Sequence, residues 1–481
     1  MEDHKEKYKH QTDSVEKIKE KRGQEVVSLR KEKREKIVSS KRFRFGLERE
    51  SGDDHGFTVE MVKELCGKLS QSGPERLSAL KGIRQACAEG TSYIDAVFSV
   101  ENSLQSVVGL LTGNDADLQL EAAWCLTNIS AGTSEHALAV AKMAAPYLIT
   151  YLGSSNNALQ DQCAWALGNI AGDSAECRNL LHAQGIVAPI VNLLKSPVPA
   201  VVQSAAFAIS NIARESPAVT RELVGAGILG ILPQYMNLGK GNRDTLTEIA
   251  WTLTYLSTTG EHVPAMIENG LLTSTVDLLV KLANEGDKSY PIVTPLLRCL
   301  GNVCSGPDEY TEQALENPRL LHTLGVYLDS TVKYVVKETL WVLSNIVGEP
   351  TVAESVANGP IVEKVVAKMD AGFDVRQEAL YVLNNLACHG EEACSCLLRH
   401  KVLQGFTPTL KTHDADVLNL ALGFIEMMLR MCPDSVDVFD TCGGQARLEG
   451  LEYHDNPTIA GKAHELLQAY FLTDNNQEDV G

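Results

Sequence analysis

From about Thr58 to Phe471 the apolar positions recur three and four residues apart, the period of an amphipathic helix. Leu77, Leu80 and Ile83 start the pattern, and Ile186-Val-Ala-Pro-Ile-Val-Asn-Leu-Leu194 shows it at full strength. Breaks fall at Gly185, Gly227, Gly270 and Gly359, where a left-handed C-cap is expected. Further breaks fall at turns such as Lys195-Ser-Pro-Val-Pro199. Helices follow one another with no strand pattern between them, so the chain is predicted to be all-α.

The helices are copies of a three-helix unit. The phrase Glu121-Ala-Ala-Trp-Cys-Leu-Thr-Asn-Ile-Ser130 returns in Cys163-Ala-Trp-Ala-Leu-Gly-Asn169, Ala206-Phe-Ala-Ile-Ser-Asn211 and Ala250-Trp-Thr-Leu-Thr-Tyr255. It continues in Leu297-Arg-Cys-Leu-Gly-Asn302, Leu340-Trp-Val-Leu-Ser-Asn345 and Leu380-Tyr-Val-Leu-Asn-Asn385. All four tryptophans, Trp124, Trp165, Trp251 and Trp341, hold one position, with Phe207, Arg298 and Tyr381 in the other copies. Successive copies are 41, 42, 44, 47, 43 and 40 residues apart, the period of an armadillo or HEAT array. The copy near Ala421 has Gly423 and Met427 in place of ring and amide, and reads as a packing repeat. The fold expected is an armadillo-repeat, right-handed superhelical solenoid over residues 58–472, with a basic helical arm at 1–50, a flexible linker at 51–57 and an acidic, disordered tail at 473–481.

An aromatic ring and an amide four residues later share one helix face. Asn is a poor helix-interior residue, so six of them at one repeat position point to a shared task. One task is stacking of repeat on repeat. The other is recognition: an amide carries donor and acceptor and bonds an extended peptide backbone without reading its sequence. Neighbouring rings then form slots for aliphatic stems, and a ring face attracts a cation by about 0.5–2 kcal/mol. Acids in register, Asp173, Glu248, Glu338 and Glu378, are expected to select cations at the groove edge.

Charge sharpens this picture. Net charge is −19, yet residues 1–50 carry 16 Lys+Arg against 11 Asp+Glu, leaving −24 for the body. An acidic body suits basic ligands, including the chain's own arm, and argues against nucleic acid as a main partner. No run of about 18 apolar residues occurs, so no membrane span is expected, and the charged N-terminus does not read as a signal peptide. Twelve scattered cysteines read as buried thiols in a reducing compartment. No nucleophile–base set or metal spacing stands out, so neither an enzyme nor a cofactor is expected. Gly225-Ala-Gly-Ile-Leu-Gly230 matches a dinucleotide fingerprint by letter only, since it follows a helix rather than a strand.

Ala123-Trp-Cys-Leu-Thr-Asn-Ile-Ser-Ala-Gly-Thr-Ser134 and Ala164-Trp-Ala-Leu-Gly-Asn-Ile-Ala-Gly-Asp-Ser174 resemble the second and third repeats of the importin-α family, adaptors for nuclear localisation signals. The Tyr255 and Arg298 copies match that family's irregular fifth and sixth repeats. Tyr8 to Arg44 resembles its importin-β-binding arm. The resemblance implies a major peptide site at Trp124, Asn128, Trp165, Asn169, Phe207 and Asn211, with Glu248 at its edge and Gly132 and Asp173 gripping the key lysine. It implies a minor site at Trp341, Asn345, Tyr381 and Asn385, with Asn302, Glu338 and Glu378 nearby. Arg298 would lie between the sites and bind no lysine. In the arm, Arg30, Lys31, Lys33 and Arg34 would meet importin-β, and Lys41, Arg42 and Arg44 would occupy the groove as an autoinhibitory cluster. Phe207 and Tyr381 depart from the family's tryptophans and give smaller faces. The resemblance implies basic cargo signals and importin-β as partners, leaves the C-terminal repeats open to an export receptor, and places the protein in cytoplasm and nucleus. The competing expectation is an armadillo scaffold for other extended or basic partners.

Overall fold

In the computed structural model, residues 56–71, 73–239 and 242–472 are described. The arm of 1–50, with Arg30, Lys31, Lys33, Arg34, Lys41, Arg42 and Arg44, lies outside them, as do residues 51–55 of the linker and the tail.

The described chain is an all-α solenoid without a strand. It divides into two compact units, one ending at Leu271 and the other starting at Leu272. In the first, the repeat-bearing helices are Pro74–Glu89, Ala116–Ser130, Asn157–Asp173, Pro199–Ile212 and Arg243–Ser257. Each packs on the one before it. Two shorter helices precede each of the later members, as Ser134–Met143 and Ala145–Tyr151 precede Asn157–Asp173. In the second unit the series is Tyr290–Cys304, Lys333–Ile346, Phe373–Ala387, Ala415–Met431 and Pro457–Tyr470, again packed in succession.

Start signals fix the register of the ring. Asp115 and Asn156 accept backbone N–H groups of the first turn through their side chains, and Pro199 opens the Phe207 helix. In every copy from Trp124 to Tyr381 the cap lies nine residues before the ring position, from Asp115 for Trp124 to Gly372 for Tyr381. A fixed count from the cap gives a fixed rotation about the helix axis, at 3.6 residues per turn. All rings therefore project from the same side of their helices, followed by their amides one turn later.

Gly185, Gly227 and Gly270 have φ of 79°, 81° and 72°, as a left-handed helix end requires. Gly359 differs. Its φ is −101° and ψ 175°, because Pro360 follows and forces extended backbone on the residue before it. The long spacing of 47 residues is taken up by a 3-10 segment, Ala283–Ser289, which bends at Gly286 with φ of 64°.

Candidate functional site: the ring-and-amide ladder

The amides have a common structural role. Asn128 donates its side-chain N–H to the Arg84 carbonyl at 2.9 Å, Asn169 to Thr127 at 3.0 Å and Asn211 to Gly168 at 3.1 Å. In the second unit Asn345 donates to Gly301 at 2.9 Å and Asn385 to Ser344 at 2.7 Å. Each acceptor lies on the preceding repeat helix. Thr127, Gly168, Gly301 and Ser344 each stand one residue before the amide position of their own repeat. Stacking, one of the two tasks open to the asparagines, is thus performed by one N–H of each of these five. The same bond orients the amide, with nitrogen toward the preceding repeat. Asn302 is buried on the Tyr290–Cys304 helix.

Rings meet what the preceding repeat offers. Trp165 and Phe207 lie 5.2 Å apart between centroids, with planes inclined by 32°. Gly168 permits this approach, since a Cβ there would stand 2.5 Å from the Phe207 ring. Gly301 does the same in the second unit, where a Cβ would stand 2.1 Å from the Trp341 indole. Trp251 stacks with Tyr255 of its own helix at 6.4 Å, and Tyr381 is half-buried. Trp124, also half-buried, has the Arg84 guanidinium 4.1 Å from its ring centroid.

Three of the four acids, Glu248, Glu338 and Glu378, are buried. Glu248 is buried and accepts the Ser210 hydroxyl at 2.6 Å. Glu338 is 2 % exposed and takes two bonds from Arg298, one from Nε at 2.5 Å. An acid three residues before the ring points back toward the preceding repeat helix, where a donor on that helix reaches it. Glu121 belongs to the same register and pairs with Arg84 Nε at 2.8 Å, while Glu378 is buried on the Tyr381 helix. Asp173 is half-buried at the C-terminal end of its helix, where Ser134 donates to its Oδ1 at 3.2 Å. Gly132 borders His136, whose Nδ1 a Cβ would approach to 2.6 Å. His136 Nδ1 accepts the Thr133 N–H at 3.2 Å and Nε2 faces Asp95 at 3.1 Å.

Sequence reasoning missed two features. Arg84 sits in the degenerate first repeat, and the signal for it was Glu121, which shares the register of Glu248 and Glu338. The second is a row of tyrosines at the ends of second helices. Tyr151 donates to the Leu111 carbonyl at 2.9 Å and Tyr327 to Leu279 at 2.6 Å, and Tyr235 bonds Leu194 in the same way. Where the amide ladder stops, Met427 receives Cys388 Sγ at 3.4 Å instead.

The cysteines are all free, ten of them buried. Burial pushes the Cys66 and Cys394 thiols up to about 12. Such thiols pack as small apolar groups. Among the described residues no group of His, Cys, Asp and Glu is placed to hold a metal, and no helix is long and apolar enough to cross a membrane.

A family model described as TMCO6 matches residues 62–471. "Importin subunit alpha-9" of Arabidopsis thaliana is 30% identical over 95% of this chain and 95% of its own length. "Importin subunit alpha-2" of Oryza sativa subsp. japonica is 28% identical over 94% of this chain and 93% of its own. A crystal structure of an engineered protein superimposes with a TM-score of 0.76 at 25% identity, covering 85% of this chain and 98% of that one.

Proposed function

This chain belongs to the importin-α family, and from that premise we propose that it is a non-enzymatic nuclear import adaptor working between cytoplasm and nucleus. A basic nuclear localisation signal lies extended along the ring-and-amide face of the Trp124, Trp165 and Phe207 helices. The N-terminal arm of residues 1–50 binds importin-β and, when released, competes with cargo for that face. A second peptide site uses Trp341, Asn345, Tyr381 and Asn385.

The observation that carries this reading is the common orientation of the amides. One N–H of each is tied to the repeat before it, in one register along each unit. An amide held in this way meets a peptide backbone without first losing rotamer freedom, and preorganisation of that kind raises affinity. Asp173 supplies the charge. It lies four residues after Asn169, is held by Ser134, and is reachable from solvent. The acidic body, at −24 beyond residue 50, attracts a cationic peptide over distances of about a Debye length.

Fluorescence anisotropy with a lysine-rich signal peptide tests the reading. Residues 56–481 are expected to bind it, the full chain to bind it more weakly, and Asp173→Lys to lose it by a factor of roughly 100, the effect of reversing a close charge. Absence of binding to residues 56–481 would leave a scaffold whose ladder serves stacking alone.

A further inference from the structure

We infer that Arg84 is the end stop of the cation ladder, a residue of the chain standing where a peptide lysine or arginine would otherwise be held. The inference rests on the import reading and concerns which peptides the Trp124 end of the site accepts.

Three contacts carry it. The Arg84 guanidinium covers one face of Trp124 at 4.1 Å from the ring centroid. Its Nε stands 2.8 Å from Oε2 of Glu121, and the side chains are 8% and 13% exposed. Its carbonyl accepts the Asn128 amide at 2.9 Å. A ring, an acid three residues before it and an amide four residues after it are the components of a cation slot in this repeat. Here a single arginine of the preceding repeat engages all three.

In the Trp341 repeat an arginine of the preceding helix, Arg298, likewise holds the acid, Glu338, and two further repeats differ. Phe207 lies against Trp165, and Glu248 accepts a neutral hydroxyl from Ser210. At Trp124 the charge of Glu121 is balanced and one ring face is covered. A peptide cation arriving on that side would have to displace an arginine tied to a carboxylate, or sit beside a like charge. The basic run read by the site therefore ends at the opposite face of Trp124, and a further lysine beyond it gains nothing.

The test uses the full chain and three labelled peptides: a lysine block flanked by serines, and two versions lengthened by one lysine at either end. The native chain is expected to bind all three alike. Arg84→Gln uncovers the ring face and Glu121. It is expected to bind one lengthened peptide roughly 3- to 20-fold more tightly than the short one, the equivalent of a single cation–π contact. A folded variant that treats the three peptides as the native chain does would overturn the inference. If Arg84→Gln unfolds, Glu121→Gln serves instead. It leaves Arg84 as an unbalanced cation, and the lengthened peptide should then bind more weakly than the short one, whereas equal binding rejects the end stop. Failure of residues 56–481 to bind even the short peptide sinks the import reading, and the end stop with it.

Discussion

Gly168 and Gly301 stand at the same position in the two units, and each does two things. Its carbonyl accepts the amide of the next repeat, from Asn211 or Asn345, and its missing Cβ admits the next ring, Phe207 or Trp341. The units differ in what meets an acid three residues before a ring. Glu248 in the first is satisfied by the Ser210 hydroxyl, whereas Glu338 in the second is locked by the buried Arg298 guanidinium. The repeat thus prescribes the clasp and leaves the acid's partner to each copy. An arginine cancels the carboxylate's charge at Glu338.

The sharpest way to break this comparison is to remove the arginines. Arg298→Ala strands Glu338 at 2 % exposure and is expected to destabilise the chain by about 3–5 kcal/mol in urea unfolding. Arg84→Ala leaves the more accessible Glu121 and should cost about 1 kcal/mol. Equal losses would mean that burial does not set the difference between the pairs.

The glycines come next. Gly301→Ala places a methyl group 2.1 Å from a rigid indole, against 2.5 Å from a phenyl ring for Gly168→Ala. Both should lower the melting temperature, by roughly 1–3 kcal/mol of stability, with Gly301→Ala the worse. A neutral Gly301→Ala would show that the Trp341 ring moves aside freely.

The amide clasps should be alike. Asn211→Ala and Asn345→Ala each remove a bond to a helix carbonyl and are expected to cost about 1–2 kcal/mol, by an equal amount in the two units. A loss confined to one unit would break the equivalence on which the comparison stands.

The smallest effect is chemical. With burial holding the Cys66 and Cys394 thiols at about 12, both should resist iodoacetamide at neutral pH in the folded chain, one in each unit. The half-buried Cys442 should be alkylated before either. Mass spectrometry of timed digests reads the order, and early labelling of Cys66 alone would mark the first unit as the looser of the two.

Much of the ladder was legible in advance because a repeat writes the same constraint many times. Four tryptophans and six asparagines in one register could not arise from core packing of unrelated helices. The acids were read less well. Their spacing placed them beside the rings, but a period of about 40 residues says nothing of which side chain on the preceding helix will reach back. Arg84 and Ser210 become partners only when two helices lie side by side. The tyrosine clasps were invisible for the same reason, since Tyr151, Tyr235 and Tyr327 donate to carbonyls 40, 41 and 48 residues away.

The sequence by itself determined the helices, their period, the face that carries ring and amide, and the acidic character of the body. These follow from local rules: apolar spacing, capping residues, the conformational freedom of glycine, and the sum of charges. Only the tertiary structure decided that the asparagines hold repeat to repeat, that Glu338 is cancelled by Arg298, and that Arg84 lies across Trp124. Hydrogen bonds and ion pairs depend on distances of about 3 Å between atoms, and those distances are set when neighbouring helices pack.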